Sequence, residues 1–287
     1  MPNYLQILIL AVIQGAAELL PVSSSAHVIV AEKLMGLNPS DPAMTMLLVM
    51  LHTGTMFAVI VYFWSGWRRD YFSSGIRLKD FLVQVIFATI CTGIVGYGIK
   101  IVIEKFFMRG VEKAQIEDLF SNLPLIAGAL FAVGVLIIYA GIRSSRTRQG
   151  AEIQLPQSCW IGIVQGICIP FRGFSRSGAT ISTGLILGLS KQKLEEFSFA
   201  LAVVLTPPVI AHEGLRLLKA NKEAATHIPL AHLLTPSLVG MVFSFLAGLV
   251  ALKWLSRWLE SGQWKLFGFY CLAASIGVLA LHFTLGL

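Results

Sequence analysis

The sequence predicts an all-α polytopic membrane protein arranged as an inverted-topology repeat, each half a re-entrant broken helical hairpin followed by three transmembrane helices. Three observations carry that expectation. The chain has 287 residues, 56% of them hydrophobic and only 13% charged, with a mean hydropathy of +0.76, far too few charges for a soluble domain of this size. Six stretches, at 43–64, 81–103, 123–142, 194–215, 232–255 and 264–286, reach the roughly 20 apolar residues that a helix needs to cross a bilayer core. Two polar segments, QGAAELLPVSSSAH at 14–27 and QGICIPFRGFSRSGAT at 165–180, interrupt the apolar pattern at a constant offset of 151 residues, which sets Gln14-Gly15 on Gln165-Gly166 and Ser24 on Ser175.

The first hairpin opens the chain. Gln14 and Glu18 are four apart and share a helix face; Pro21 then breaks the helix, and Ser23, Ser24 and Ser25 turn the backbone. The first span, 43–64, shifted by 151 residues falls on 194–215, and the second, 81–103, on 232–254, which hydropathy finds independently. Three crossings separate the two polar segments, an odd number, so the second half is expected upside down relative to the first. Irregular backbone is tolerated at membrane depth only inside protein or beside a water-filled cavity. The two hairpin tips are therefore expected to meet in a polar pocket. Six crossings place both termini outside, and the whole chain, 1–287, reads as one integral membrane domain with repeat halves of about 1–142 and 152–287.

The net charge of +7 and pI near 9.4 do not indicate nucleic acid, because the basic residues gather in short loops, where they set membrane orientation. Arg68, Arg69, Arg77 and Lys79, then Arg143, Arg146 and Arg148, then Lys253, Arg257 and Lys265 mark cytoplasmic loops. In the 104–122 loop, Lys105, Arg109 and Lys113 are offset by Glu104, Glu112, Glu117 and Asp118, so it is expected outside. Arg216, Lys219 and Lys222 are the exception to this count. All six tryptophans (Trp64, Trp67, Trp160, Trp254, Trp258, Trp264) lie near predicted cytoplasmic boundaries, as an interfacial belt requires. No Lys or Arg precedes Lys33, so a basic signal-peptide region is lacking and the N-terminus is expected to stay. Cys91, Cys159, Cys168 and Cys271 are scattered without paired spacing, which argues against zinc or a disulfide framework and for small packing residues.

Ionisable groups at membrane depth are costly and point to function. Ser24 and His27 are three apart, so His27 is a candidate base for Ser24 or for a water. The competing reading makes the serines helix caps and His27 a satisfied polar residue. In the second segment Arg176 stands between Ser175 and Ser177, followed by Gly178 and Thr180, in a turn that opens a helix. Backbone N–H groups, hydroxyls and a guanidinium fork match phosphate oxygens; the alternative is that Arg176 pairs with Glu18 across the pocket. His52 reads as a buried histidine on a backbone carbonyl rather than a pocket residue. Asp41, Lys191, Lys193, Glu195 and Glu196 read as solvated hairpin ends, His212 and Glu213 as interfacial, and Pro207-Pro208 as a break in the fourth span.

These motifs resemble those of the undecaprenyl-diphosphatase family, the bacitracin-resistance membrane phosphatases that recycle the bacterial lipid carrier. The family signatures are Glu/Gln-x-x-x-Glu followed by Pro-Val-Ser-Ser-x-x-His, and Pro-Gly-x-Ser-Arg-Ser-x-x-Thr; here they read QGAAE, PVSSSAH and RGFSRSGAT. The resemblance implies that Gln14 and Glu18 form the acidic motif, Ser24 and His27 the catalytic pair, and Ser175, Arg176, Ser177 and Thr180 the diphosphate site, with Ser25 beside it. It also implies a Mg²⁺ or Ca²⁺ cofactor, for which Glu18, with Gln14, is the ligand. Where the family has proline before the glycine, this chain has Arg172, a second candidate phosphate contact.

The expected substrate is a polyprenyl diphosphate whose tail lies among membrane lipids while the headgroup enters the pocket. Arg176 would stabilise the transferring phosphoryl group. Either Ser24 attacks phosphorus with His27 as base, or His27 activates water and Ser24 positions it. The resemblance implies the bacterial inner membrane, access from the periplasmic side, and room for a homodimer. The rival reading is a transporter or flippase of polyprenyl phosphate, since secondary transporters also join broken helices at the midplane. The Ser24–His27 pair beside an acidic motif favours the enzyme, because transport needs an anion site but no nucleophile. A channel is the weakest reading.

Overall fold

Asn3 starts the first helix with a reciprocal cap: its side chain accepts from the Gln6 N–H at 2.8 Å, while Gln6 Oε1 accepts from the Asn3 N–H at 2.9 Å. Helix α1 (Tyr4–Leu19) stops ahead of Pro21, and Ser23, at φ 68°, turns the chain into α2 (Ser24–Leu34). Asp41 caps the next helix through the Ala43 N–H at 2.9 Å, with Pro42 at its first position. Three long helices follow: α3 (Pro42–Asp70), α4 (Gly75–Val102), which passes into a π turn (Ile103–Phe107), and α5 (Leu123–Arg146). The same order then recurs, with α6 (Leu155–Cys168) and α7 (Arg176–Ile186) short, and α8 (Lys191–Glu223), α9 (Leu230–Glu260) and α10 (Trp264–Leu285) long. This computed structural model describes residues 2–38, 41–107, 122–146, 150–223 and 230–285.

Six helices, α3, α4, α5, α8, α9 and α10, each hold 21 to 31 residues long and apolar enough to cross a membrane. The chain is thus an all-α polytopic membrane protein, and large apolar side chains such as Ile94, Val250 and Ile276, 68–70% exposed, cover its outer face. The spans sit close to the predicted ones. The fourth differs: α8 continues through Pro207 and Pro208. Most of the 104–122 loop, with its charge balance, and Arg148 lie outside the described residues, as do the side chains of Arg146, His212, Glu213, Arg216, Lys219 and Lys222.

The short helices pack across the halves: α1 lies on α9 and α6 on α4. Both seams need glycine. A Cβ at Gly15 would stand 2.5 Å from the Ser244 carbonyl oxygen, and one at Gly166 2.8 Å from that of Thr92. Polar groups close the second seam, where Gln165 Nε2 donates to Thr92 Oγ1 at 3.0 Å and Thr92 Oγ1 donates to the Gly162 carbonyl at 2.9 Å. The remaining framework packs α3 against α8 and α9, α5 against α10, and α7 against α5.

Three expectations are corrected. Trp67 and Trp264 are buried, with their indole N–H groups on the Glu196 carbonyl (3.3 Å) and Ser182 Oγ (3.0 Å), so only part of the tryptophan set faces outward. Glu195 and Glu196 are also buried rather than solvated. Glu195 Oε1 accepts from Ser256 Oγ at 2.5 Å and Glu196 Oε1 from Gln192 Nε2 at 3.1 Å. Helix α8 rolls both carboxylates inward, where Ser256 and Gln192 each reach one oxygen, while Glu196 Oε2 is buried without a hydrogen-bond partner among the described residues. Finally, the cysteines are not all isolated: the Sγ atoms of Cys91 and Cys159 are 3.4 Å apart.

Candidate active site

Two serines set the geometry by capping the second helix of each hairpin. Ser23 Oγ accepts from the Ala26 N–H at 3.4 Å and Ser175 Oγ from the Gly178 N–H at 3.2 Å. The first helical positions are then Ser24 in α2 and Arg176 in α7. The correspondence at the tips is therefore Ser23 with Ser175 and Ser24 with Arg176, one residue out of the register that sets Ser24 on Ser175. The extra residue lies in the turn between α6 and α7.

Both first-turn side chains converge on Glu18, at the end of α1. Ser24 Oγ donates to Glu18 Oε2 at 2.5 Å, and Arg176 Nη2 donates to Glu18 Oε1 at 2.9 Å. The Arg176–Glu18 pairing anticipated as an alternative is thus present. It leaves Arg176 Nη1 buried with no hydrogen-bond partner among the described residues, an uncommon state for a charged donor. Gln14, buried one turn back from Glu18, donates through Nε2 to Glu18 Oε2 at 3.2 Å and to His52 Nδ1 at 2.9 Å.

His52 belongs to this cluster, with Nδ1 3.8 Å from Glu18 Oε2, whereas a carbonyl-bonded histidine is the sequence expectation. The sign that would have found it is the spacing of polar residues along α3: His52, Thr53 and Thr55 form the one polar break between Thr45 and Tyr62. His27, in contrast, faces away from Ser24. Its Nδ1–H donates to the Ser23 carbonyl at 2.8 Å, and Nε2 accepts from Tyr270 OH at 2.7 Å. The ring also stacks on Tyr270 at 5.6 Å between centroids.

The other predicted residues buttress the tips. Ser25 Oγ lies 3.3 Å from Ser23 Oγ. Ser177 Oγ donates to the Leu20 carbonyl at 3.3 Å and so ties the second hairpin to the first. Thr180 Oγ1 is 2.6 Å from Ser198 Oγ and donates to the Arg176 carbonyl at 2.9 Å, deep in the core. Arg172 is exposed in the turn before α7, and its charge reaches both Glu32 and His52. Among the described residues no group of three or more His, Cys, Asp or Glu gathers as a metal cage.

A carboxylate that touches a hydroxyl and a guanidinium stands where two short-helix hairpins meet, in an integral membrane protein with six apolar helices long enough to span. Comparison with known proteins gives its family. The model of the family described as bacitracin resistance protein BacA matches residues 7–277, and the chain belongs to that family. The protein called undecaprenyl-diphosphatase 2 in Acinetobacter baylyi is 61% identical over 281 residues, covering 97% of this chain and 98% of that one. Proteins called undecaprenyl-diphosphatase in Parabacteroides distasonis and Desulfitobacterium hafniense are each 30% identical, over 97% and 96% of this chain and 98% and 95% of theirs.

Proposed function

We propose that this chain is a membrane phosphatase that hydrolyses undecaprenyl diphosphate to undecaprenyl phosphate and inorganic phosphate, and so returns the lipid carrier to peptidoglycan synthesis and confers bacitracin resistance. The observation that carries the reading is the buried, unpartnered Arg176 Nη1 beside Ser24. A guanidinium fixed by Glu18 on one side and unpaired on the other has a donor to spare for a phosphate oxygen. Transport alone would not require a hydroxyl pressed against a carboxylate.

In this mechanism the terminal phosphoryl group enters against Arg176 Nη1 and the N-terminus of α7, where guanidinium and backbone dipoles stabilise the charge that builds in the transition state. Ser24 Oγ attacks phosphorus and its proton passes to Glu18 Oε2; the 2.5 Å contact supports Glu18 in that role. The undecaprenyl phosphate leaves, and water then releases phosphate from the serine, with Glu18 returning the proton. His52 and Gln14 hold the carboxylate in place, and His27 anchors the turn through Ser23.

Glu18 and Gln14 also suit a Mg²⁺ or Ca²⁺ ion. The Glu18 carboxylate is a hard oxygen donor and Gln14, whose Nε2 faces it, carries a second in its amide oxygen; with one carboxylate available the ion would share its coordination with the diphosphate. When bound, it supplies neutralisation of phosphate charge. Swapped packing of α1 on α9 and α6 on α4 supports a repeat whose halves interlock; in this reading it is inverted, the hairpins enter from opposite faces of the inner membrane, and the site opens to the periplasm. A homodimer would keep each site within one chain, because Glu18, Ser24 and Arg176 all come from the same chain.

Phosphate release from undecaprenyl diphosphate by purified protein in detergent tests this. Release is expected to need a divalent cation, to stop with EDTA, and to vanish in Ser24→Ala and Arg176→Ala. Near-normal turnover in either folded variant would overturn the assignment.

A further inference from the structure

We propose that Cys91 and Cys159 form a reversible dithiol–disulfide pair, a modification site at which a small hydroperoxide staples α6 to α4. Their Sγ atoms stand 3.4 Å apart across the seam between the two helices. Both residues are half-exposed, whereas Cys168 and Cys271 are buried. Around them Ile90, Ile94 and Trp160 are exposed on the outer face, so the pair lies at the rim of the seam, open to the bilayer.

The approach is set by the backbone. Gly162 packs against the Ala88 backbone and Gly166 against Thr92, and a Cβ at either glycine would clash with its neighbour. Gln165 and Thr92 then lock the register. The two sulfurs are therefore held together by a seam that exists for other reasons, and closing from 3.4 Å to the roughly 2.05 Å of a disulfide shortens their separation by little more than about 1 Å. Cys159 lies four residues into α6, about 6 Å along the axis from its first residue, close to the water boundary that charged Glu152 and the exposed Trp160 mark.

Susceptible thiols are accessible and sit beside a resolving partner. The Cys159 sulfur takes the OH of the hydroperoxide as the O–O bond breaks; the alcohol (or water, from hydrogen peroxide) leaves with the first thiol proton, and a sulfenic acid remains. The Cys91 sulfur then attacks that sulfur, the S–O bond breaks, and the oxygen departs as water with the second thiol proton. Two thiols are oxidised and one peroxide is reduced. Because α6 runs into the turn that carries Arg176, the staple fixes the root of the second hairpin on α4.

The test uses the full chain in detergent and in vesicles, exposed to hydrogen peroxide and to tert-butyl hydroperoxide, then denatured and titrated with maleimide. Four thiols are expected to fall to two and to return to four with dithiothreitol, and peptide mapping is expected to find Cys91 joined to Cys159. Cys91→Ser and Cys159→Ser should each abolish the linked peptide. A chain that keeps four free thiols, links a different pair, or carries Cys91 and Cys159 as separate oxidised acids would overturn the proposal.

Discussion

Ser24 and Arg176 occupy the same position in their two hairpins, the first residue of α2 and of α7 behind a capping serine, and they grip opposite oxygens of one carboxylate, at 2.5 Å and 2.9 Å from Glu18. Glu18 therefore joins the nucleophile candidate of one half to the anion-binding candidate of the other. Glu18→Gln keeps the shape but removes both the proton acceptor and the ion pair. Turnover is expected to fall about 10³-fold or more, and adding Ser24→Ala should cost little further, since groups that act as a unit are non-additive. Steady-state kcat of the single and double variants checks this; additive losses would separate the two residues.

Arg176→Lys preserves charge but not the fork. The structure asks Arg176 to bond Glu18 through Nη2 while Nη1 stays free, and an ammonium, a compact point charge, does not present that planar geometry. A loss of about 10²-fold or more in kcat is expected, the scale of removing one transition-state donor, with KM for the lipid diphosphate changed far less. Full activity in the lysine variant would mean that charge alone suffices.

The two histidines should behave oppositely to the sequence expectation. His52→Ala removes the group that accepts from Gln14 and stands beside Glu18, and a drop of about 10- to 100-fold in activity is expected, the scale for losing a partner that orients a functional side chain. Tyr270→Phe breaks one bond of His27, and His27→Ala breaks that bond and the one to the Ser23 carbonyl, so both should produce milder losses together with a lower melting temperature, larger for His27→Ala. If His27→Ala is inactive at an unchanged melting temperature while Tyr270→Phe is normal, His27 acts on substrate directly.

How much of this was readable before the structure depends on the distance between partners. Gln14 and Glu18 are one helical turn apart, Pro21 and the serines announce the break, and Arg176 among serines is visible at a helix start. What stayed hidden joins distant segments. His52 meets Gln14 across 38 residues, His27 meets Tyr270 across 243, and Cys91 meets Cys159 across 68. Glu195 and Glu196 read as solvated hairpin ends, yet both are buried, and Ser256, 61 residues on, gives Glu195 a partner inside the fold. A local pattern specifies which residues share a turn; it does not specify which helix that turn faces.

The α4–α6 seam yields a prediction that concerns stability rather than chemistry. Little hydrophobic force draws helices together in lipid, so small residues and interhelical hydrogen bonds have to do so. At Gly166 an added Cβ would come 2.8 Å from the Thr92 carbonyl and 2.8 Å from Val95 Cβ, while at Gly98, on the same helix as Thr92, nothing lies within 4 Å. Gly166→Ala should therefore push α6 off α4 and destabilise the protein by about 1–3 kcal/mol, the range for overpacking. Gly98→Ala should be neutral or stabilising by up to about 1 kcal/mol, from helix propensity alone. Melting temperatures of the two variants in one detergent decide the point. Equal melting temperatures would mean that the seam relaxes freely and does not hold the second hairpin in place.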